Sequence, residues 1–309
     1  MAQEYVVITG ISGNLGRLLA KRLHKEEHII GIDRRPFDDR PKDIIHYQID
    51  IRRNKADEIF RNHRIKAIYH LGVMHNPRQR NDLRYSWNIL GTSKILSFCG
   101  KYKIPKFVYL SSADIYGAGP GNTNFMPETA PLQGWRGSAP LRDAVETDML
   151  VQSFFWKDPD TDIIILRPVH IVGPHMDNGP MRFFNLSAVP VALGFDPMIQ
   201  IIHENDLIEA LYLCLNKKVR GVFNLEGGGN VPLSIVLNSL KVKKIPFLHL
   251  ALHPILKKMW DFKLTDFTPD QMNNLLYICM VDGTRAREEL GFKSKLSIKD
   301  TINSIKKAQ

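Results

Sequence analysis

Through its first half the chain alternates short, continuous apolar runs with longer stretches in which apolar residues recur every three or four positions. Tyr5-Val6-Val7-Ile8-Thr9 is the first run, and a helical pattern through Leu18, Leu19 and Leu23 follows it. His28-Ile29-Ile30-Gly31-Ile32 is the second run, ending at Asp33; Ile44–Ile49 ends at Asp50, Lys66–Leu71 runs into Gly72-Val73, and Phe107–Leu110 runs into Ser111-Ser112. Between them, Lys55–Asn62 and about Arg80–Lys101 carry the helical period. An uninterrupted apolar run belongs to a strand buried on both faces, and strands alternating with helices imply parallel crossovers. The pattern therefore predicts an α/β fold: a Rossmann-type, doubly wound parallel sheet.

After Pro174 the rhythm changes. Asn178–Pro190 is mixed and bounded by proline, Met198–His203 reads as a strand, Asn205–Leu215 as an amphipathic helix, and Gly221–Leu225 as a strand closed by Gly227-Gly228-Gly229. We expect residues 1–174 to form the half built on that sheet, and residues 175–309 to form mainly a smaller α/β lobe, with about 199–225 returning to the core sheet. Lys241–Leu264 holds six lysines among Phe247, Leu248, Leu250, Leu252, Ile255, Leu256, Trp260 and Phe262. It reads either as a membrane-surface element or as a strand and a lobe helix whose apolar side is core. With Pro246 and Pro254 dividing the stretch into short pieces, the second reading is the ordinary one, and no membrane partner is expected.

Composition adds boundaries. With 309 residues, 44% hydrophobic and 24% charged, the chain has the make-up of a soluble globular protein. No apolar run nears the roughly 20 residues of a spanning helix, and no leader precedes the first strand, so a cytoplasmic location is expected. Cys99, Cys214 and Cys279 are scattered without a C-x-x-C pair, which predicts neither disulfides nor a metal site. The net charge of +10 fits a pocket for anionic substrates; because the basic residues form no run, nucleic acid is not the expected partner.

The chemistry begins at Gly10-Ile11-Ser12-Gly13-Asn14-Leu15-Gly16, placed between the first strand and a helix. Glycines in this spacing permit a tight turn, let backbone approach a pyrophosphate, and seat it on the helix N-terminus. Asp33, 17 residues past Gly16, stands where a carboxylate grips a ribose diol, which favours NAD. Arg34 and Arg35 directly after it would suit a 2′-phosphate, so NADP stays open. Asp50 and Ile51, and Leu71, Gly72 and Val73, occupy further strand ends and are candidates to flank adenine and ribose.

Together with Asn88 in Trp87-Asn88-Ile89-Leu90-Gly91-Thr92, the string Ser111-Ser112-Ala113-Asp114-Ile115-Tyr116-Gly117, and Leu166-Arg167-Pro168 before Gly173-Pro174, these residues resemble the extended short-chain dehydrogenase/reductase family over nearly the whole chain. Gly194-Phe195-Asp196-Pro197, Gln200, His203-Glu204-Asn205-Asp206, Val281-Asp282 and Leu290-Gly291-Phe292 are similar to a bacterial UDP-glucose 4-epimerase-like subgroup in which the catalytic residues are not always kept. The resemblance implies that Ser111, Asn88 and Pro168 also lie against the cofactor. It implies further a nucleotide-sugar substrate gripped by the lobe, with Arg182, Gln200 and His203 as contacts, and a homodimer pairing about Arg80–Lys101 and Arg142–Phe155.

It also implies a catalytic Ser, Tyr and Lys with an Asn in support. Ser112 matches the serine and Asn88 the asparagine. The Tyr and Lys positions fall on Pro140 and Ala144, and between Tyr116 and Tyr212 there is no tyrosine and only one lysine, Lys157. Candidates for the missing proton transfer are Asp143, on the same helix face, and His170, past the strand after Arg167; His175 and Tyr116 are weaker ones. Three readings follow: an epimerase- or dehydrogenase-like enzyme with a substituted base, a catalytically silent NAD-binding sensor or interaction protein, and nucleic-acid binding on the same fold.

Overall fold

A computed structural model describes residues 3–74, 76–263, 268 and 273–308. The first half runs β1 (Glu4–Thr9), α1 (Asn14–Leu23), β2 (His28–Asp33), β3 (Ile45–Gln48), α2 (Lys55–Asn62), β4 (Arg64–His70), α3 (Asn81–Tyr85) and α4 (Gly91–Tyr102). A π-helical turn, Ser86–Leu90, joins α3 to α4. Then come β5 (Lys106–Leu110), a 3-10 turn at Ala113–Tyr116, α5 (Ala139–Lys157) and β6 (Asp162–Pro168). The second half runs β7 (His170–Val172), α6 (Gly179–Phe184), β8 (Ala188–Ala192), β9 (Met198–His203), α7 (Glu204–Asn216), β10 (Gly221–Leu225) and β11 (Asn230–Pro232). It closes with α8 (Leu233–Ser239), β12 (Lys243–Phe247), α9 (His249–Asp261) and α10 (Ile298–Ala308).

Seven strands form one parallel sheet in the order β10-β6-β5-β4-β1-β2-β3. The chain starts in the middle, at β1, winds outward to β3, and returns to β4 on the other side. This is a Rossmann-type α/β fold, with its switch point between β1 and β4. The central runs are apolar throughout because helices cover both faces. Val6 and Ile8 point into a core shared with Leu19 and Leu23 of α1 and Leu207 and Leu211 of α7. Val7 points the other way, among Phe60 of α2, Ile95 and Phe98 of α4, and Val151 of α5.

Residues 199–225 divide. β10 is the edge strand of the large sheet, and α7 lies on it against α1. Met198–His203 does not return to that sheet: β9 pairs parallel with β7 and antiparallel with β11 in a separate three-stranded sheet. The lobe is completed by the parallel β8–β12 pair and a core in which Met181, Phe184, Val189, Val236 and Leu237 meet.

Neither proline between Lys241 and Leu264 divides the chain as expected. Pro246 lies inside β12, which has β8 as its strand partner in a two-stranded sheet, so the missing N–H falls on an open edge. Pro254 lies inside α9, where Leu252 and Leu256 turn inward and hold the helix in place. Leu264 falls outside the described residues.

Candidate functional site

The carboxyl ends of β1 and β4 meet at the switch point, and the glycines there set how closely. Gly10 has φ +74°, and a Cβ on it would lie 2.7 Å from Gly72 Cα. A Cβ on Gly16 would lie 2.3 Å from the Gly10 carbonyl oxygen, so α1 packs flush on the loop. Gly13 precedes α1 with no side chain capping the helix. The N–H groups of its first turn have no intrahelical partner and face the loop, which is the arrangement an anion needs.

Asp33, at the end of β2, is buried and saturated. Its Oδ2 accepts the Ser12 N–H at 3.2 Å and Arg35 Nη2 at 3.0 Å; its Oδ1 accepts the Arg35 N–H at 2.9 Å and Arg35 Nε at 3.2 Å. Arg35 thus closes over the carboxylate meant for a ribose. Arg34 points elsewhere, over the Trp87 ring, 5.2 Å from its centroid. Asp50 is bonded by Arg52 through both carboxylate oxygens, and the same guanidinium reaches Ser86 Oγ at 2.8 Å and the Trp87 face at 4.9 Å. Ile51 is buried beside them.

The π-helical turn makes the other wall. Trp87 Nε1 donates to the Gly72 carbonyl at 2.7 Å, while Asn88 takes the Met74 N–H at 2.8 Å and donates to the Met74 carbonyl at 3.1 Å. Two consecutive side chains therefore clamp the loop after β4, and Leu71 is tied to Thr9 of β1. The glycine loop meets the clamped 72–74 loop at Gly72 and Asp33 through the Ser12 N–H, so these parts adjoin at the strand ends. The chemistry of these residues fits a dinucleotide: backbone N–H donors at an uncapped helix, glycines without side chains and a carboxylate at the next strand end.

Around Ser112 most polar groups are already engaged. Ser112 Oγ accepts the Asp114 N–H at 3.1 Å and caps the 3-10 turn. Ser111 Oγ donates to Asp148 Oδ2 at 2.6 Å, and Asp148 in turn holds Arg167 in a fully buried ion pair at 2.6 Å. Tyr116 is buried; its hydroxyl donates to Asn224 Oδ1 at 2.8 Å and accepts from Arg167 Nη1 at 2.8 Å. Burial pushes its pKa up, with Arg167 opposing, so it is a structural tyrosine. Asp143 is neither an exposed first-turn acid nor a free base: it is buried and bonded by Arg84 Nε at 2.7 Å. Burial raises its pKa, with Arg84 opposing. Arg84 is itself buried, and sequence reading gave no sign of it because its partner lies 59 residues away. Pro140 and Ala144 share a face of α5, at partly buried positions. Pro168 ends β6 in register with Leu225.

His170 belongs to β7, where its half-buried ring places Nδ1 3.6 Å from Asp114 Oδ1. Ser112, Asp114 and His170 are therefore brought together, and Asp114 is the member that sequence reading passed over. Its signal was its place two residues after Ser112. Asp114 and His170 stand at the end of a lobe cleft whose walls are apolar: Phe183, Phe184, Ile199, Leu233, Leu256 and Met259 among them.

The expected lobe contacts sit differently. Gln200 is buried as a clip, accepting the Val281 N–H at 2.8 Å and donating to the Val281 carbonyl at 3.1 Å. His203 is buried and caps α7, taking the Asn205 N–H on Nδ1 at 3.1 Å; burial lowers its pKa. Arg182 lies on α6 between cleft-lining Pro180 and Phe183, exposed and bonded to Asp177 at 2.7 Å. His175 is held by buried Glu204 at 2.5 Å. Among the described residues no cluster of side chains suits a metal ion, and no helix is long and apolar enough to cross a membrane.

The sequence pattern of the NAD dependent epimerase/dehydratase family matches residues 6–225, from β1 to the end of β10. The chain belongs to this family. An uncharacterized protein of Mycobacterium tuberculosis is 24% identical over 302 residues, covering 94% of this chain and 80% of its own length. A UDP-glucose 4-epimerase of Dictyostelium discoideum is 30% identical over 138 residues, 43% of this chain and 39% of its own. Among solved structures, the UDP-glucose 4-epimerase of Thermotoga maritima with UDP-glucose superposes with a TM-score of 0.77 at 19% identity over 98% of both chains. That of Thermus thermophilus with NAD superposes with 0.75 at 17%, again over 98% of both. At such identities the likeness carries the fold, and it spans both the sheet and the lobe.

Proposed function

We propose that this member of the family binds a nicotinamide dinucleotide, NAD in preference to NADP, and acts on a nucleotide sugar without a Tyr/Lys pair. The single observation behind the first half is the switch-point surface: an uncapped α1 facing glycines that pack without room for a Cβ, with Asp33 at the adjacent strand end. Bound there, the nicotinamide would accept and return a hydride. The substrate class follows what the epimerase relatives are named for. In this chain Arg182, on α6 between cleft-lining Pro180 and Phe183, is the cation we assign to a diphosphate, since among the described residues no Lys or Arg lines the cleft itself.

Proton transfer falls to His170, steadied by Asp114, with Ser112 positioning the reacting hydroxyl. Titrating the protein with NADH, following nicotinamide fluorescence, tests the cofactor site, with NADPH as comparison. Turnover on a panel of nucleotide sugars then tests the chemistry. It should fall by about 10²-fold or more in His170→Ala and in Ser112→Ala. The second reading, a silent NAD-binding sensor, is favoured by one observation: Tyr116 and Asp143 are both locked into structural bonds. Saturable NADH binding with no turnover across the panel would select it.

A further inference from the structure

We propose that the lobe surface built from β12, α9 and the turn after β8 docks on an anionic membrane surface. The inner side of α9 is core, with Leu252 and Leu256 buried, while its outer side carries Leu250, His253, Pro254, Lys257 and Lys258 in solvent. Two separate segments contribute to one apolar patch. The Leu193 N–H donates to the Phe247 carbonyl at 2.8 Å, which brings the turn after β8 beside the start of α9. The rings of Phe195 and His249 touch at 5.8 Å. Leu193, Leu248 and Leu250 are 58%, 65% and 79% exposed there, and Phe262, at the far end of α9, is 73% exposed. Single exposed leucines are ordinary; several on two adjoining segments of one small lobe mark an interaction surface.

The charge around the patch identifies the partner. Residues 241–263 hold six lysines against one acid, Asp261, and the turn after β8 adds a second, Asp196, for a net of +4 with histidines neutral. Lys241, Lys243 and Lys244 precede the Phe247–Leu250 stretch along the chain and Lys257, Lys258 and Lys263 follow it, all exposed; none of the six forms an ion pair among the described residues. A second copy of this chain is a poor occupant, since a two-fold contact would oppose the same lysines across it. A folded protein partner fits less well too. Protein interfaces are enriched in arginine and depleted in lysine, and this segment has lysine alone. Exposed leucine and phenylalanine side chains in a segment whose only basic residues are lysines are the composition of an element lying in a lipid headgroup layer.

Flotation of the full chain with extruded vesicles tests this. Vesicles of phosphatidylcholine with about one third phosphatidylglycerol should carry the protein up the gradient, those of phosphatidylcholine alone should not, and about 0.5 M salt should release it. Leu250→Asp, and Lys257→Gln with Lys258→Gln, should each weaken vesicle binding by about tenfold while NADH binding stays unchanged, showing the fold intact. No flotation with anionic vesicles overturns the proposal. So does flotation that both variants leave unaltered. Self-association without vesicles that is lost in Leu250→Asp would assign the patch to a second copy instead. NADH binding is read separately, so failure here leaves the dinucleotide site standing.

Discussion

At the scale of single residues, what distinguishes this chain is how many ionisable groups are spent on structure. His70 is fully buried between the hydroxyls of Thr9, at 2.7 Å, and Thr92, at 2.9 Å, and burial lowers its pKa from 6.5 to about 4. The folded ring therefore stays neutral while the unfolded one takes a proton below pH 6.5. Between these values the unfolded chain binds more protons, so stability falls as pH falls through that window. The loss attributable to His70 approaches about 3 kcal/mol at its lower end. His70→Asn should flatten the decline in urea midpoint from pH 6.5 to pH 4 relative to the unaltered chain; equal slopes would refute the assignment. Arg35 permits a second test. Its guanidinium holds both oxygens of Asp33, so removing it frees the carboxylate for a ribose diol and deletes a cation from the place a 2′-phosphate would occupy. Arg35→Ala should therefore raise the ratio of NADPH to NADH dissociation constants by about tenfold, the value of a charge-assisted hydrogen bond. A fall in that ratio would mean the arginine guards NAD rather than competing with it.

At the scale of elements, the parts that were legible in sequence are those whose signals are local. The glycine spacing fixed where α1 begins. The apolar runs located β1, β2 and β5, and the helical period located α2 to the residue, whereas α5 runs three residues before and two beyond the Arg142–Phe155 stretch that the resemblance implied. The clamp on the 72–74 loop was legible in one half only. Asn88 stood out, but its partner is the backbone of Met74, and Trp87 holds Gly72 from the neighbouring position. Pairings of a side chain with distant backbone leave no composition signal. For the same reason nothing in the sequence showed that Gln200 and His203, which the resemblance implied as substrate contacts, clip Val281 and cap α7. Trp87 and Asn88 both sit in the π-helical turn, a local departure from α geometry of the kind frequent at functional sites. Asn88→Ala would leave the Met74 N–H and carbonyl without these bonds and loosen the loop against the cofactor. We expect NADH to bind about tenfold more weakly, with a loss of folding stability of about 1 kcal/mol. Unchanged NADH affinity in that variant would separate the clamp from the cofactor site.

At the scale of the whole molecule, the helices beside the large sheet and the lobe each expose apolar side chains, and each surface calls for its own partner. The lobe patch lies among lysines. The helices of the dinucleotide half instead expose Leu83, Tyr85 and Leu90 along α3 and the π-helical turn, and Met149 and Trp156 along α5. These two stretches are packed side by side and bonded, with the Tyr85 hydroxyl donating to Glu146 at 2.8 Å. Acid and base are mixed on this face, so a two-fold copy can set Arg142 near Glu146 across the axis without the like-charge conflict of the lobe. Five large side chains on two adjoining helices are a sound nucleus for the about 800 Å² per partner that a stable pair buries. We propose that the homodimer forms here, and light scattering should read the mass of two chains at micromolar concentration. Leu90→Asp or Met149→Asp puts a charge into the centre of such an interface and should yield a monomer, with NADH binding retained because both residues face solvent in the single chain. A monomeric unaltered protein would refute the pairing outright. A dimer that survives both substitutions but dissociates in Leu250→Asp would move the interface to the lobe, and the membrane assignment would fall with it.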